Sequence, residues 1–586
     1  MHQFKVWAPL AKKMQLNLNG AIIPMAGPDG HGCWNVKVDD ARCGLDYAFL
    51  IDDDTTPYPD PRSLWQPQGV HGMSRLYDQS NFPWTDQRWI APPLFGAIIY
   101  ELHIGTFSEE GTFDGAISHL EHLVQLGVTH LEVMPIADFA GEWGWGYDGV
   151  ALFAASETYG GPDGFKRFVD ACHAHGLAVI LDVVYNHFGP VGNYTNKFGP
   201  YLTEKHQTPW GAAVNFDDKG SDEVRRFFCD NAEMWLKHFH VDGLRLDAVH
   251  AFIDLSAVNF MEQMSAEVER LGTTLGRKLV VIAESDLNDP KVVRPREAGG
   301  FGMDAQWSDD FHHALFTMLY RCDPGLGYYD DFGTMEELAK ALKEVFVYDG
   351  QYSGFRKRSH GRPVQGLAAQ HFVVFDQNHD QVGNRAKGER LEHLVGMDAA
   401  KVGVGLVLLA PYVPMLFMGE EFAASSPFCY FANHDDPVMA KSVSEGRKKE
   451  FADFGFADAD IPDPETPSTF TSSKLRWDEV LTGKHLEMLE WTKALIHLRR
   501  TTVALNDGDV GHLKVNYDAD KRWLTMQRGS VRVLVNLGEQ GASFHLEEGE
   551  QVRLCSKETP EKDGMVLLPA MGLAVLMMKD SEHSLN

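Results

Sequence analysis

GLRLDAVH, residues 243–250, opens with a run, 243–247, that ends on an acid, with Leu244 and Leu246 on one face and Arg245 and Asp247 on the other, because side chains alternate along a strand. Runs of the same kind recur on both sides of it: 97–100 (AIIY), 130–134 (HLEVM), 178–182 (AVILD), 279–284 (LVVIAE), 301–307, 372–375 (FVVF) and 413–418 (VPMLFM). Helical patterns lie between them, such as Ile117, Leu120 and Val124 before Gly127, and Phe228, Ala232, Trp235 and Phe239. Apolar runs alternating with amphipathic helices predict βα units around a parallel sheet. Eight is the number at which such strands close into a barrel filled by side chains. The fold class expected is α/β, with a (β/α)8 TIM barrel as the catalytic domain.

The flanks have a different texture. Short β-type runs at 4–7, 14–18, 34–38 and 47–51, broken by Gly, Pro and Asp turns, predict an N-terminal β-sandwich over 1–90. The barrel then spans 91–503, ending on a helix near 485–500, and β-type runs return from 510 to 578 as a C-terminal β-sandwich over 504–586 with a frayed tail at 581–586. The stretch at about 186–222 is too long for an ordinary βα loop and is expected to be an inserted, lid-like subdomain. Residues 402–419 are uncharged, but Pro411 and Pro414 make them a buried helix, a turn and a buried strand rather than a membrane span.

Composition narrows the function classes. With 586 residues, 44% hydrophobic, 11% aromatic and 23% charged, the chain buries a sizeable core and is no small binding module. Its 53 basic and 83 acidic residues give a net charge of −30, which repels phosphate backbones and anionic bilayers, so neither nucleic acid nor membrane is an expected partner. Seven scattered cysteines without a CxxC pair predict reduced thiols. The N-terminal MHQFKVWAPL lacks a basic leader with an apolar core, which points to the cytoplasm. The pairs His173/His175 and His238/His240 lack ligand spacing, and Gly325-Leu326-Gly327 lacks a strand-turn-helix context. No metal and no cofactor are expected, and the acidic segments 547–550 and 458–465 read as solvated surface.

Chemistry in such a barrel sits at the C-terminal ends of the strands. Acids stand there: Asp182, Asp247, Glu284 and, after the seventh run, Asp380 beside His379. One strand-end acid alone is more often a cap or a loop hydrogen bond; several, joined by His187 and His379, point to a site. Two carboxylates facing one small volume are what glycoside hydrolysis requires. Arg245, on the same face as Asp247, should keep it ionised, as nucleophile or base, whereas Glu284, near other anions, should stay protonated as the acid.

DVVYNH (182–187), GLRLDAVH (243–250), VIAESD (281–286) and FDQNHD (375–380) resemble, in order, the four sequence regions of the α-amylase superfamily of glycoside hydrolases. Within it, YELHIGTF (100–107), GWGYDG (144–149), TPWGAAVNFD (208–217), DQNHDQVGNR (376–385) and PMLFMGEEF (414–422) are similar to the malto-oligosyltrehalose trehalohydrolase family, and the VWAP start to the sandwich preceding the barrel in trehalohydrolases, branching enzymes and isoamylases. The resemblance implies a hydrolase that cuts the α-1,4 bond next to a terminal trehalose, with Asp247 as nucleophile, Glu284 as acid/base and Asp380 as the third acid. It implies substrate contacts from Tyr147, Asp182, His187, Arg245 and His379, to which Trp145, Trp210 and His250 add candidate sugar platforms or donors. Val249-His250 departs from the Lys-His common in amylases, so amylase subsite contacts do not transfer there. The implied pathway partner is malto-oligosyltrehalose synthase, without a stable complex. The alternatives are a 1,4-α-glucan branching enzyme, a non-catalytic glucan-binding protein, for which retention of all three acids is unfavourable, and a phosphate-binding barrel, which Asp380 and Glu420-Glu421 would repel.

Overall fold

The computed structural model describes residues 1–321, 327–452 and 461–578. Cys322, Gly325, Leu326, the acids at 458–460 and the tail expected to fray lie outside the described residues.

Eight parallel strands close into a barrel: β1 (Ile99–Leu102), β2 (His130–Val133), β3 (Ala178–Val183), β4 (Gly243–Leu246), β5 (Val280–Ala283), β6 (Ala305–Trp307), β7 (Phe372–Val374) and β8 (Val413–Phe417). Every run read as a barrel strand contributes one. Inside, Ile99, Ile180, Ile282, Val373 and Met415 form part of a packed apolar plug, each such side chain worth about 1.5–3 kcal/mol of burial. The plug is the solid floor of whatever lies at the mouth.

Three local readings need correction. β1 starts and ends two residues later than 97–100, which brings Glu101 into the strand. β6 begins only at Ala305, because the N–H groups of Phe301, Gly302 and Met303 donate to the carbonyls of Lys291, Arg294 and Val292 instead of to a neighbouring strand. The helix expected through Ile117 and Val124 is two short helices, Phe113–Ile117 and Leu120–Leu126, whose buried stripe is Leu120, Leu123 and Leu126; Val124 is 37% exposed.

Before the barrel, strands His2–Trp7 and Cys33–Val38 pair antiparallel, and Ala21–Pro24, Met14–Leu18, Asp46–Ile51 and Ser74–Arg75 form a second sheet. After it, a five-stranded sheet and a three-stranded sheet (Ala542–His545, Met565–Leu568, Glu561–Lys562) enclose a core that includes Leu534, Phe544, Val566 and Leu576. Both flanks are docked onto the barrel. Trp7 packs edge-on to Tyr201, 5.2 Å between ring centroids, and Phe49 does the same to Phe198 at 6.1 Å. At the other end Arg528 donates to the carbonyls of Leu409 and Ala410, which are orphaned where the buried helix Leu391–Leu409 ends. The stretch 402–419 is therefore the end of this helix, a turn and β8, and among the described residues no helix is long and apolar enough to cross a membrane.

The histidines set aside as metal ligands have a structural use. His173, with its side chain 1% exposed, bridges Asp86 at 2.8 Å and Asp242 at 3.0 Å, while Trp89 stacks on it at 4.5 Å; His240 stacks on Trp84 at 3.8 Å. The segment entering the barrel is thus strapped beneath β4.

Candidate active site

Parallel register sets Asp182 beside Arg245, and Arg245 beside Ile282. Arg245 is fully buried, and its guanidinium lies 4.1 Å from the centroid of the Trp307 ring. One terminal nitrogen donates to Asp182 Oδ2 at 2.7 Å and to Asp247 Oδ1 at 3.1 Å, and the other lies 3.7 Å from Glu284 Oε2. A single buried cation therefore gathers three carboxyl groups from three adjacent strand ends.

Those carboxyl groups are held differently. Asp247 receives a second hydrogen bond, from Asn186 Nδ2 to Oδ2 at 2.8 Å, so both of its oxygens face donors. Beyond it, Ala248 adopts a left-handed backbone (φ 41°, ψ 53°), a conformation that costs a residue with a Cβ about 1 kcal/mol or more; there its N–H donates to Glu284 Oε2. The strained turn thus ties the loop after one acid to the other acid. Burial pushes the Glu284 carboxyl up to about 8, opposed by Arg245 and reinforced by Asp247, Asp309 and Asp380. Burial likewise raises Asp182 to about 6, against the pull of Arg245.

Asp380 lies in the first turn of the helix His379–Gly383, which Asn378 caps, and its side chain is 44% exposed, open to the mouth of the site. Tyr147 donates to Asp182 Oδ2 at 2.7 Å and lies 2.8 Å from His379 Nε2, its ring stacked on the imidazole at 5.1 Å. His187 bonds the Tyr147 carbonyl at 3.1 Å and carries Trp210 stacked on it at 5.0 Å. The structure therefore brings Asp247, Glu284, Arg245, Asp182, Tyr147, His379 and Asp380 into one network. Trp210, 49% exposed at the tip of the hairpin formed by Leu202–Thr208 and Gly211–Val214, borders it. His250 stands further out, 3.9 Å from Asp286.

Trp145 differs from the sugar-platform reading. It is 6% exposed, its indole N–H is taken by the Cys429 carbonyl, and it packs edge-on to His379 at 5.6 Å. It walls the site from behind.

Several participants were not singled out from the sequence, although Glu101 and Asn186 lie inside YELHIGTF and DVVYNH. Glu101 accepts from the backbone N–H of His379 at 2.9 Å, and its other oxygen faces Nδ1 at 2.5 Å. Asn186, Trp307 and Asp309 complete the surroundings; burial, with Asp380 next, raises the Asp309 carboxyl to about 7. Asp309 opens the helix Asp309–Tyr320, and an acid at such a position reads as a helix-dipole residue. Among the described residues no group of three or more His, Cys, Asp or Glu side chains is disposed to hold a metal ion.

Comparison with known proteins carries this geometry to a family. The model of the α-amylase catalytic domain matches residues 78–209. A malto-oligosyltrehalose trehalohydrolase of Rhizobium sp. (strain M-11) is 44% identical over 98% of this chain and 97% of its own length, and one of Saccharolobus solfataricus is 46% identical over 91% and 90%. A 1,4-alpha-glucan branching enzyme of Rhodospirillum rubrum is 28% identical over 74% of this chain and 61% of its own. A crystal structure described as a putative alpha amylase from Salmonella typhimurium superposes with a TM-score of 0.90 at 35% identity, covering 98% of this chain and 97% of that one. On identity sustained along the whole chain, the protein belongs to the malto-oligosyltrehalose trehalohydrolase family of the α-amylase superfamily.

Proposed function

We propose that the protein is a retaining glycoside hydrolase that cleaves the α-1,4-glucosidic bond next to the terminal trehalose of malto-oligosyltrehalose, releasing trehalose and a malto-oligosaccharide. The observation that carries the reading is the pair of unlike carboxyl groups on one buried guanidinium, Asp247 with donors on both oxygens and Glu284 raised to about 8. In the first step Asp247 attacks the anomeric carbon while Glu284 gives its proton to the departing trehalose oxygen. In the second, Glu284 takes a proton from water, and the water oxygen displaces Asp247, restoring the α configuration. Asp380 holds sugar hydroxyls from the open side, Tyr147 provides a stacking face, and Asp182, His187, Arg245 and His379 set its position. Trp210, exposed and stacked on His187, and His250, near Asp286, would meet the sugars from the rim.

The substrate's trehalose end must be made beforehand, so a malto-oligosyltrehalose synthase supplies it, without need of a stable complex. The test is product analysis with maltotriosyl-trehalose and, separately, amylose. Free trehalose should appear much faster than amylose is cut; branched amylose with no trehalose released would move the assignment to glycosyl transfer.

A further inference from the structure

We propose that Glu101 is a positioning residue that locks His379 in its doubly protonated form and so fixes a positive charge at the wall of the sugar site. The argument is one of proton directions. Tyr147 has one proton, and its oxygen lies 2.7 Å from Asp182 Oδ2. An ionised carboxylate only accepts, so the phenol proton points to Asp182. The phenol oxygen must then accept from His379 Nε2, 2.8 Å away. On the other side of the ring, Nδ1 faces the Glu101 carboxylate, which also accepts the backbone N–H of His379 at 2.9 Å. Both ring nitrogens are donors, and an imidazole with two N–H groups is a cation.

Glu101 holds this state from a rigid place. It is 1% exposed on β1, paired in register with Glu132 on β2 and Phe417 on β8. The groups facing His379 are Glu101 from β1, His103 just after it, Glu132 from β2, Tyr147 from the following loop, Asp182 from β3, Arg245 from β4 and Asp380 from its own helix. Burial lowers the imidazole, but Glu101 and then Asp380 outweigh both burial and Arg245 and raise it to about 9. Burial and Glu101 push the Glu132 carboxyl far up, and neither of its oxygens makes a hydrogen bond among the described residues, which leaves Glu101 as the carboxyl in hydrogen-bond contact with the ring. The cation in turn lies 3.6 Å from Asp380 Oδ1. Loss of its charge would free Asp380 and force Tyr147 to turn its proton from Asp182 to Nε2.

The kinetic consequence rests on the proposed hydrolase reading; the charge state does not. Glu101→Gln keeps length and an acceptor oxygen but removes the charge. In nitrogen-15 NMR of histidine-labelled protein, with the His379 signals identified by their loss in His379→Asn, wild type should show two protonated ring nitrogens at about pH 8 and Glu101→Gln a neutral ring. With maltotriosyl fluoride, whose leaving group needs little protonation by Glu284, Glu101→Gln should lower kcat about tenfold with little change in KM, and its alkaline limb should fall at least about one pH unit below that of wild type. A neutral His379 in wild type at about pH 8 overturns the proposal, and this reading stands even if the variant fails to fold. An unchanged alkaline limb in a folded Glu101→Gln also overturns it. Fluoride hydrolysis without action on maltotriosyl-trehalose would instead overturn the assigned substrate.

Discussion

Asp247 and Glu284 share a guanidinium yet are hydrogen-bonded differently, and their roles separate by leaving group. A general acid matters most when the leaving group is poor, whereas a nucleophile matters always. Asp247→Asn should abolish turnover of both maltotriosyl-trehalose and maltotriosyl fluoride. Glu284→Gln should lose the former by a factor of about a thousand or more while keeping the glycosylation step with the fluoride, and Asp380→Asn should be severely impaired with both. Rates of fluoride release in the three variants check this; a Glu284→Gln as dead toward fluoride as Asp247→Asn would reverse the roles. A second expectation concerns pH. Because the folded protein raises the Glu284 carboxyl to about 8, the acid carries its proton below that pH and loses it above. The kcat/KM for the natural substrate should therefore fall as pH rises through about 8, and a carboxyl with an ordinary value would instead place that limb near pH 4 to 5, about where a free glutamate titrates. Asp182, Asp247 and Glu284 were legible in the sequence because each ends an apolar run, and Arg245 because alternation puts it on the face of Asp247; Asp380, in the helix after the seventh run, was legible only from its place beside His379 in FDQNHD. Glu101 was not: the run AIIY reads as ending at Tyr100, and only the register of β1 against β8, with Tyr100 opposite Leu416 and Glu101 opposite Phe417, carries the strand to Glu101 and Leu102.

The inserted stretch after β3 is built of a short helix, Thr195–Phe198, and the hairpin, and beyond Asn186 and His187 at its root it is the hairpin tip that reaches the site. Phe198 and Tyr201 are buried beneath the N-terminal sheets. Trp210→Ala should thus leave stability within about 0.5 kcal/mol of wild type, raise KM for maltotriosyl-trehalose several-fold and change kcat little, since a stacking contact kept in ground and transition states contributes uniform binding. Steady-state kinetics beside a thermal melt decide it: an unchanged KM would remove Trp210 from the substrate site. The length of this insertion was legible, but its anchoring was not, because Phe198 and Tyr201 find their partners, Phe49 and Trp7, about 150 and 200 residues away in sequence.

At the scale of the molecule, the barrel is gripped from both ends by polar groups that have left water. His173 between Asp86 and Asp242 is one grip; burial lowers the imidazole, but the two carboxylates raise it above its usual value, and both carboxyls are in turn lowered. His173→Gln leaves Asp86 and Asp242 short of a counter-charge and should cost about 3 kcal/mol at neutral pH. The sign of its pH dependence follows: a histidine raised on folding contributes fully below about 6.5, its unfolded value, and the contribution fades as pH climbs through the higher folded value. Denaturant unfolding of the two proteins should converge as pH rises; a gap that widens would contradict the ion-pair account. Such grips escape sequence reading because HAH and HFH carry no spacing signal, whereas the barrel itself repeats one pattern eight times.

The most direct test of the proposed reaction is a proton NMR time course with maltotriosyl-trehalose. The first signals to grow should be α-maltotriose and free trehalose in equal amounts, with β-maltotriose following only by mutarotation. Initial β-maltotriose would contradict the two-step displacement between Asp247 and Glu284, and cleavage that leaves trehalose attached to glucose units would contradict the assigned bond.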